Sequence, residues 1–130
     1  MLKHVSFITQ SADQIIEFYL LLGAQVLKDE TRPEEALRRL VLQFPGGTLQ
    51  FFQPSVPPEK KQSNWMEHIA FVVEDFDALH DTLKAQGVTF TREKTRSPGG
   101  KRMFFVLDPD DRQLEILESS GRMMRTSVER

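Results

Sequence analysis

The sequence contains no cysteine and no apolar run long enough to cross a membrane, which takes about twenty residues. Without cysteine, disulfide bonds, zinc–thiolate sites and thiol catalysis are excluded, and the composition fits a reducing compartment. The N-terminal residues enter a strand pattern without the apolar stretch of a signal peptide. We therefore expect a cytoplasmic protein that has no membrane partner.

The chain also lacks a strong charge of either sign. Seventeen basic and nineteen acidic residues give a formal charge of −2, and no stripe of Lys and Arg runs along the sequence. Nucleic acid is therefore not an expected partner. Apolar residues, ten Phe among them, make up 39% of the 130 residues, which is enough to build the core of one domain.

What the sequence does contain is an internal repeat marked by histidine and glycine. His4 precedes Gly23 by 19 residues (23 − 4), and His68 precedes Gly87 by 19 residues (87 − 68). An offset of 64 (68 − 4) therefore carries the first half of the chain onto the second half.

The repeat places four potential metal ligands at equivalent positions. His4 and His68 stand early in the two halves, and Gln50 and Glu115 correspond late in them at an offset of 65 (115 − 50). Two imidazoles, an amide oxygen and a carboxylate form the mixed nitrogen and oxygen set that suits a borderline divalent cation. We expect one divalent metal ion, nickel, cobalt, zinc, manganese or iron, as the cofactor.

Each half has the pattern of one strand, one helix and three further strands. Apolar alternation predicts the strands, the helical period predicts the helices, and glycine is expected at the left-handed helix ends. We expect Ser11 or Asp13 to cap the first helix and Asp75 to cap the second. The predicted strands are residues 2–9, 24–30, 37–44 and 48–53 in the first half and 68–73, 88–92, 102–107 and 113–118 in the second.

These elements predict a single domain over residues 1–118. Module one covers about residues 2–53, a connector with three prolines spans 54–64, and module two covers about residues 65–118. Residues 119–130 form a polar C-terminal tail.

Strand parity gives the donors similar surroundings. Successive side chains of a strand point to opposite faces, so His4 shares a face with Ser6, and His68 shares a face with Ala70. These are the smaller and more polar faces of their strands. They are therefore suited to line a cavity.

With these features, the sequence resembles the vicinal oxygen chelate superfamily, which includes glyoxalase I, methylmalonyl-CoA epimerases, extradiol dioxygenases and the fosfomycin and bleomycin resistance proteins. The resemblance covers residues 2–118. It is carried by His4-Val5-Ser6-Phe7, Phe18-Tyr19 through Gly23, Leu49-Gln50-Phe51-Phe52, Glu67-His68-Ile69-Ala70-Phe71, Phe105-Val106-Leu107-Asp108-Pro109 and Leu114-Glu115-Ile116. It implies an α+β fold in which two tandem βαβββ modules form an open eight-stranded barrel-like sheet around a metal-binding cleft. The implied metal ligands are His4, Gln50, His68 and Glu115.

The resemblance implies a divalent-metal-dependent enzyme of the glyoxalase I-like type, with lyase or isomerase chemistry. The cation would bind adjacent oxygens of a small-molecule substrate and stabilise an enediolate or enolate during proton transfer. Glu115 is the implied general base. Many glutathione-dependent glyoxalases carry an Asn-rich segment after the second ligand, where this chain has Phe52-Gln53-Pro54, so a glutathione adduct is not the expected substrate.

Other functions within the superfamily stay open. His4, His68 and Glu115 alone form a two-histidine, one-carboxylate set that is compatible with an iron-dependent ring-cleaving dioxygenase. The same ligands suffice for fosfomycin-type thiol transfer. A non-catalytic protein that binds or sequesters a small-molecule antibiotic is the alternative from another class. In glyoxalase I-like members the site is shared between subunits, so the resemblance also implies a homodimer.

Candidate substrate contacts lie outside the four donors. Trp65 precedes the second histidine strand, and Arg96 and Lys101 belong to a basic loop that can meet an anionic substrate. The third histidine, His80, falls beside the apolar stripe of the second helix, and its repeat equivalent is Ile16 (80 − 64). We expect His80 to have a structural role.

Overall fold

The computed structural model describes residues 2–56, 68–97 and 100–119 of the chain. Two compact units, residues 1–62 and 63–130, each contain one module of one helix and four strands. The α+β class and the two tandem βαβββ modules predicted from the sequence are thereby confirmed. Within the described ranges, no helix combines the length and the apolar character that crossing a bilayer requires.

Module one begins with strand β1 and ends with strand β4. Its elements are β1 (His4–Ile8), α1 (Ala12–Leu21), β2 (Gln25–Arg32), a 3-10 turn (Pro33–Glu35), β3 (Leu37–Phe44) and β4 (Gly47–Pro54). The strand order is β1-β4-β3-β2, in which β1 and β4 run parallel and the other neighbours run antiparallel. Because the first strand lies beside the last, side chains from opposite ends of the module become neighbours.

Helix α1 packs its apolar stripe on one face of this sheet. Ile15 and Tyr19 are fully buried, and the ring centroid of Tyr19 lies 5.4 Å from that of Phe51 and 6.0 Å from that of Phe44. Burying a large apolar side chain contributes about 1.5–3 kcal/mol. This packing fixes which face of the sheet the helix covers, and it leaves the opposite face to the polar side chains.

The start of α1 differs from the prediction in its capping bond. Ser11 occupies the N-cap position, but its side chain makes no capping hydrogen bond. The backbone N–H of Ala12 instead donates to Gln53 Oε1 at 2.8 Å, from strand β4. Ser11 therefore takes the predicted N-cap position without the capping bond, and a side chain of the sheet reaches the helix start instead. The end agrees with the prediction, since Gly23 has a φ of 94°.

Module two repeats the arrangement with β5 (His68–Val73), α2 (Phe76–Ala85), β6 (Phe90–Arg96), β7 (Arg102–Leu107) and β8 (Gln113–Glu118). The strand order is β5-β8-β7-β6, again with the first and last strands parallel. Strand β6 extends to Arg96 rather than residue 92, because it pairs with β7 through polar residues that show no apolar alternation. Gly87 ends α2 with a φ of 77°, as predicted, and Asp75 takes the N-cap position without the predicted capping bond.

An aromatic cluster fills the core of module two. The ring of Phe104, which is fully buried, lies 5.1 Å from that of Phe76 and 5.3 Å from that of Phe90. His80 packs its ring against Phe90 and Phe104 at 5.0 and 5.3 Å. Its Nε2 lies 3.0 Å from Glu93 Oε1. These contacts agree with the structural role predicted for His80.

An ion pair between the helix and the third strand recurs in both modules. Arg38 Nη1 lies 2.9 Å from Asp13 Oδ1, and Arg102 Nη2 lies 3.0 Å from Asp77 Oδ2. Both partners repeat at an offset of 64 (77 − 13 and 102 − 38). Each pair ties the first turn of a helix to the start of β3 or β7. The repeat therefore preserves a helix-to-strand contact as well as the donor positions.

The pKa of Asp77 gives a prediction about stability in acid. Hydrogen bonds from Arg102 and then Lys94 lower the pKa of Asp77 from 3.8 to about 2. Because the folded-state pKa is lowered, the stabilisation is present above pH 3.8 and is lost as the pH falls toward 2. We expect Asp77→Asn to flatten the pH dependence of the free energy of unfolding between about pH 4 and 2, measured by urea denaturation at low ionic strength.

The matched variant is Arg102→Met, which removes the larger cause of the lowered pKa. It should flatten the same pH window and also the part that Arg102 contributes by lowering the pKa of Glu118, so the coupling of Asp77 and Arg102 is the difference between the effect of the double variant and the sum of the two single effects. A pH dependence in Asp77→Asn equal to that of the wild type would contradict the assignment.

Candidate functional site

The parallel pairing of β1 with β4 brings His4 and Gln50 together. Gln50 lies beside Ser6 in the strand register, and its amide nitrogen donates to Ser6 Oγ at 2.7 Å. The same nitrogen lies 3.4 Å from His4 Nε2. Gln50 is buried, whereas His4 is exposed. The three side chains share one face of the sheet, as strand parity predicted.

Arg39 holds the oxygen of Gln50. From strand β3, Arg39 Nε donates to Gln50 Oε1 at 2.6 Å, and Arg39 Nη1 donates to Glu30 Oε1 at 3.1 Å. Glu30 Oε1 also accepts a hydrogen bond from Arg32 at 2.9 Å. Two guanidinium groups therefore share one carboxylate, and the amide oxygen of Gln50 is the second acceptor for Arg39.

Glu30 remains charged in this arrangement. Hydrogen bonds from Arg39 and then from Arg32 lower the pKa of Glu30, so the ionised carboxylate anchors Arg39 at neutral pH. Sequence reasoning missed Arg39. The signal that could have found it is strand parity, because Arg39 lies on the same face as Val41, the register partner of Gln50.

The equivalent pair in module two is His68 and Glu115. Strand β5 runs parallel to β8, and His68 Nε2 lies 3.2 Å from Glu115 Oε1. The two side chains are 35% and 17% exposed. The ring of His68 meets that of Phe105 at 5.6 Å, and Phe105 is the register partner of Glu115. The shielded carboxylate of Glu115 therefore faces an imidazole, which offsets part of the cost of its burial.

Each donor pair has the spacing that two ligands of one cation require. Ligand atoms about 2.0–2.2 Å from a metal ion lie roughly 3.0–3.5 Å apart at octahedral or tetrahedral angles. His68 Nε2 and Glu115 Oε1 are 3.2 Å apart. His4 Nε2 lies 3.4 Å from the amide nitrogen of Gln50, a position that the amide oxygen takes after rotation of the amide. The residue types and spacings of both pairs therefore fit a divalent cation.

The convergence of the two pairs on one ion stays a prediction. Each pair belongs to a separate compact unit of the chain. Over residues 2–56, 68–97 and 100–119, no three His, Cys, Asp or Glu side chains form a group that could hold a metal. The second candidate ligand of module one is an amide, which is outside those four residue types.

The predicted substrate contacts lie in different surroundings. Arg96 is exposed at the end of β6, and its Nη1 donates to the carbonyl of Gly100 in its own loop at 2.7 Å. Lys101 is half-buried, and its carbonyl accepts the N–H of Ser97 at 2.7 Å. Trp65 lies outside the described residues. A substrate role for these three residues stays a prediction.

The fold and the duplicated donors agree with the family assignment. Residues 1–116 match the model of the Glyoxalase/Bleomycin resistance protein/Dioxygenase superfamily, and the chain belongs to this superfamily. The family resemblance found in the sequence is therefore confirmed.

Relatives extend over most of the chain. An uncharacterized protein of Bacillus subtilis (strain 168), YwkD, is 29% identical over 122 residues, which is 90% of this chain and 95% of the relative. A probable lactoylglutathione lyase of Vibrio cholerae is 29% identical over 113 residues, which is 82% of each chain. The structure of a trypanothione-dependent glyoxalase I of Leishmania major matches with a TM-score of 0.78 at 25% identity, covering 99% of this chain and 94% of that chain.

The burial of Gln50 gives a prediction about stability. Gln50→Leu would remove the acceptor of Arg39 Nε and leave that donor unpaired in a half-buried place. We expect the free energy of unfolding to fall by about 1–3 kcal/mol, measured by chemical denaturation. Gln50→Glu is the matched control, because a carboxylate still accepts from Arg39 and should lose less stability. A Gln50→Leu variant as stable as the wild type would show that this hydrogen bond contributes little.

Proposed function

We propose that the chain is a divalent-metal-dependent enzyme of the glyoxalase I-like type, with lyase or isomerase chemistry by proton transfer. His4, Gln50, His68 and Glu115 would hold the cation. The duplicated donor pair carries the proposal, because His68 and Glu115 lie 3.2 Å apart at the repeat positions of His4 and Gln50. The similarity to a probable lactoylglutathione lyase supports the same chemistry.

The residues of module two have separate roles in this mechanism. A bound divalent cation would act as a Lewis acid beside the substrate oxygens and lower the cost of negative charge on them. His68 would supply an imidazole nitrogen as a ligand, and the ring of Phe105 packs against its ring. Glu115, a ligand in the resting state that can leave the cation, would accept the proton from the carbon next to the substrate carbonyl and return it to the neighbouring carbon, while the hydroxyl proton passes between the two adjacent oxygens. Since Glu115 Oε1 lies beside His68 Nε2, the base and the metal ligand would lie next to the same part of the substrate.

The substrate we propose is a small molecule with adjacent oxygen atoms. A glutathione adduct is disfavoured because Phe52-Gln53-Pro54 stands where many glutathione-dependent glyoxalases carry an Asn-rich segment. Trp65, Arg96 and Lys101 are proposed as further substrate contacts. A cytoplasmic homodimer completes the proposal.

A second candidate uses three donors instead of four. The oxygen of Gln50 is bonded to Arg39 at 2.6 Å, which favours a site in which His4, His68 and Glu115 act without Gln50. Two histidines and one carboxylate are typical of iron enzymes that activate oxygen. A ring-cleaving dioxygenase is therefore the alternative function, and the identity of the bound metal distinguishes it from the first proposal.

Metal content tests the proposal directly. After titration with nickel, cobalt, manganese, zinc or iron salts, elemental analysis is expected to find about one tightly bound ion per chain, as a set of four ligands requires. His68→Ala should lose most of this ion. Glu118→Gln is the matched control, because Glu118 lies on the same strand as Glu115 and binds Arg102, and it should retain the ion. A wild type that binds no metal would contradict the enzyme proposal and favour a small-molecule-binding protein.

The role of Glu115 as base has its own test. We expect Glu115→Gln to lower turnover by about 100- to 10,000-fold, because an amide accepts no proton at the reacting carbon. Metal affinity should fall much less, since the amide oxygen still ligates. Turnover is measured by NMR as deuterium exchange next to the carbonyl in a panel of α-hydroxycarbonyl compounds and thiol adducts of α-oxoaldehydes. Equal losses of turnover and metal affinity would remove the base assignment.

A further inference from the structure

The contacts of Gln50 fix the orientation of its amide. An Arg Nε carries a hydrogen and can only donate, so the amide atom at 2.6 Å from Arg39 Nε must be the oxygen. The amide nitrogen then donates to Ser6 Oγ at 2.7 Å and points toward His4 Nε2 at 3.4 Å. The orientation therefore follows from the chemistry of the neighbours.

This orientation is the wrong one for a metal ligand. An amide nitrogen that carries two hydrogens has no lone pair to give to a cation, whereas the amide oxygen has two. For Gln50 to ligate beside His4, the amide must rotate, and the rotation gives up the bond to Arg39. A charge-assisted hydrogen bond of this kind is among the stronger ones in proteins.

Arg39 is itself held in place. Its Nη1 donates to Glu30 at 3.1 Å, and the side chain is 22% exposed. Glu30 is bonded to Arg32 as well, so the carboxylate keeps a partner if Arg39 is replaced. The arrangement thus offers a second arginine on the same carboxylate, and this arginine contacts Glu30 and Glu35.

We propose that Arg39 is a positioning residue that decides which end of the Gln50 amide faces His4, and so whether Gln50 can serve as an oxygen ligand. The proposal rests on the metal site proposed above. It adds that Arg39 controls how many side chains can ligate the cation. With Arg39 in place, only the three remaining donors would be available to the cation. Release of Arg39 adds the fourth donor.

The test compares Arg39→Met with Arg32→Met, which removes an equal charge from the same carboxylate. Manganese and zinc affinities are measured by isothermal titration calorimetry in the full chain. We expect Arg39→Met to bind the ion about ten- to a hundredfold more tightly than Arg32→Met, the effect of one charge-assisted hydrogen bond. In a Gln50→Leu background the difference should vanish. Equal affinities for the two arginine variants would overturn the proposal.

A second readout is independent of metal. Long-range nitrogen–proton NMR of the metal-free chain reports which ring nitrogen of His4 carries the hydrogen. We expect the Nδ1–H form in the wild type and in Arg32→Met, because Nε2 there faces a donor, and a shift toward the Nε2–H form in Arg39→Met. An unchanged tautomer in Arg39→Met would overturn the proposal even if metal binds.

The two readouts also separate this inference from the proposed function. A tautomer shift without metal binding in any variant would refute the metal site while upholding the control of Gln50 by Arg39. If Arg39→Met does not fold, as judged by circular dichroism, Arg39→Leu replaces it, because its side chain likewise carries no charge and has no N–H to donate to Gln50.

Discussion

The parallel pairing of the first and last strands within each module is the constraint on which the candidate site depends. Because β1 lies beside β4 and β5 beside β8, donors from opposite ends of a module meet on one face, with 3.4 and 3.2 Å between their atoms. In module one, the other face is covered by a helix, with Tyr19 and Phe51 fully buried. A slip of one residue would turn His4 and Gln50 into that core. The apolar packing that fixes the register therefore also fixes which polar side chains meet.

The two donor pairs share a backbone arrangement but differ in charge. In module two the neighbour of His68 is the carboxylate of Glu115, which attracts a cation. In module one the neighbour of His4 is an amide whose oxygen is held by the guanidinium of Arg39, which repels one. The donor pair of module two therefore attracts a cation, whereas the donor pair of module one lies beside a positive charge. This difference arises from side chains outside the repeat of histidine and glycine.

The repeat in the sequence was sufficient to predict both helices, their glycine ends and the shared faces of the donors, because these depend on local periodicity. The repeat did not predict contacts between residues that are far apart in the chain. The start of α1 is capped by Gln53, 41 residues from Ala12, and β6 extends to Arg96 because β7 pairs with it. The hydrogen bond from Arg39 to Gln50 depends on side-chain conformations in β3 and β4, which the periodicity of the sequence does not determine. The face of the strand on which Arg39 lies was predictable, but its hydrogen-bond partner was not.

The strand pairing also sets the order in which module one folds. The turn between β3 and β4 joins near neighbours, whereas His4 pairs with Thr48, 44 residues along the chain (48 − 4). Local hairpins form within about microseconds, but a distant contact first pays the entropy of closing the intervening loop. We therefore expect strand β1 to dock late, onto the open edge of β4. A chain that stalls before this step exposes that edge, where the strand of another molecule can add in place of its own.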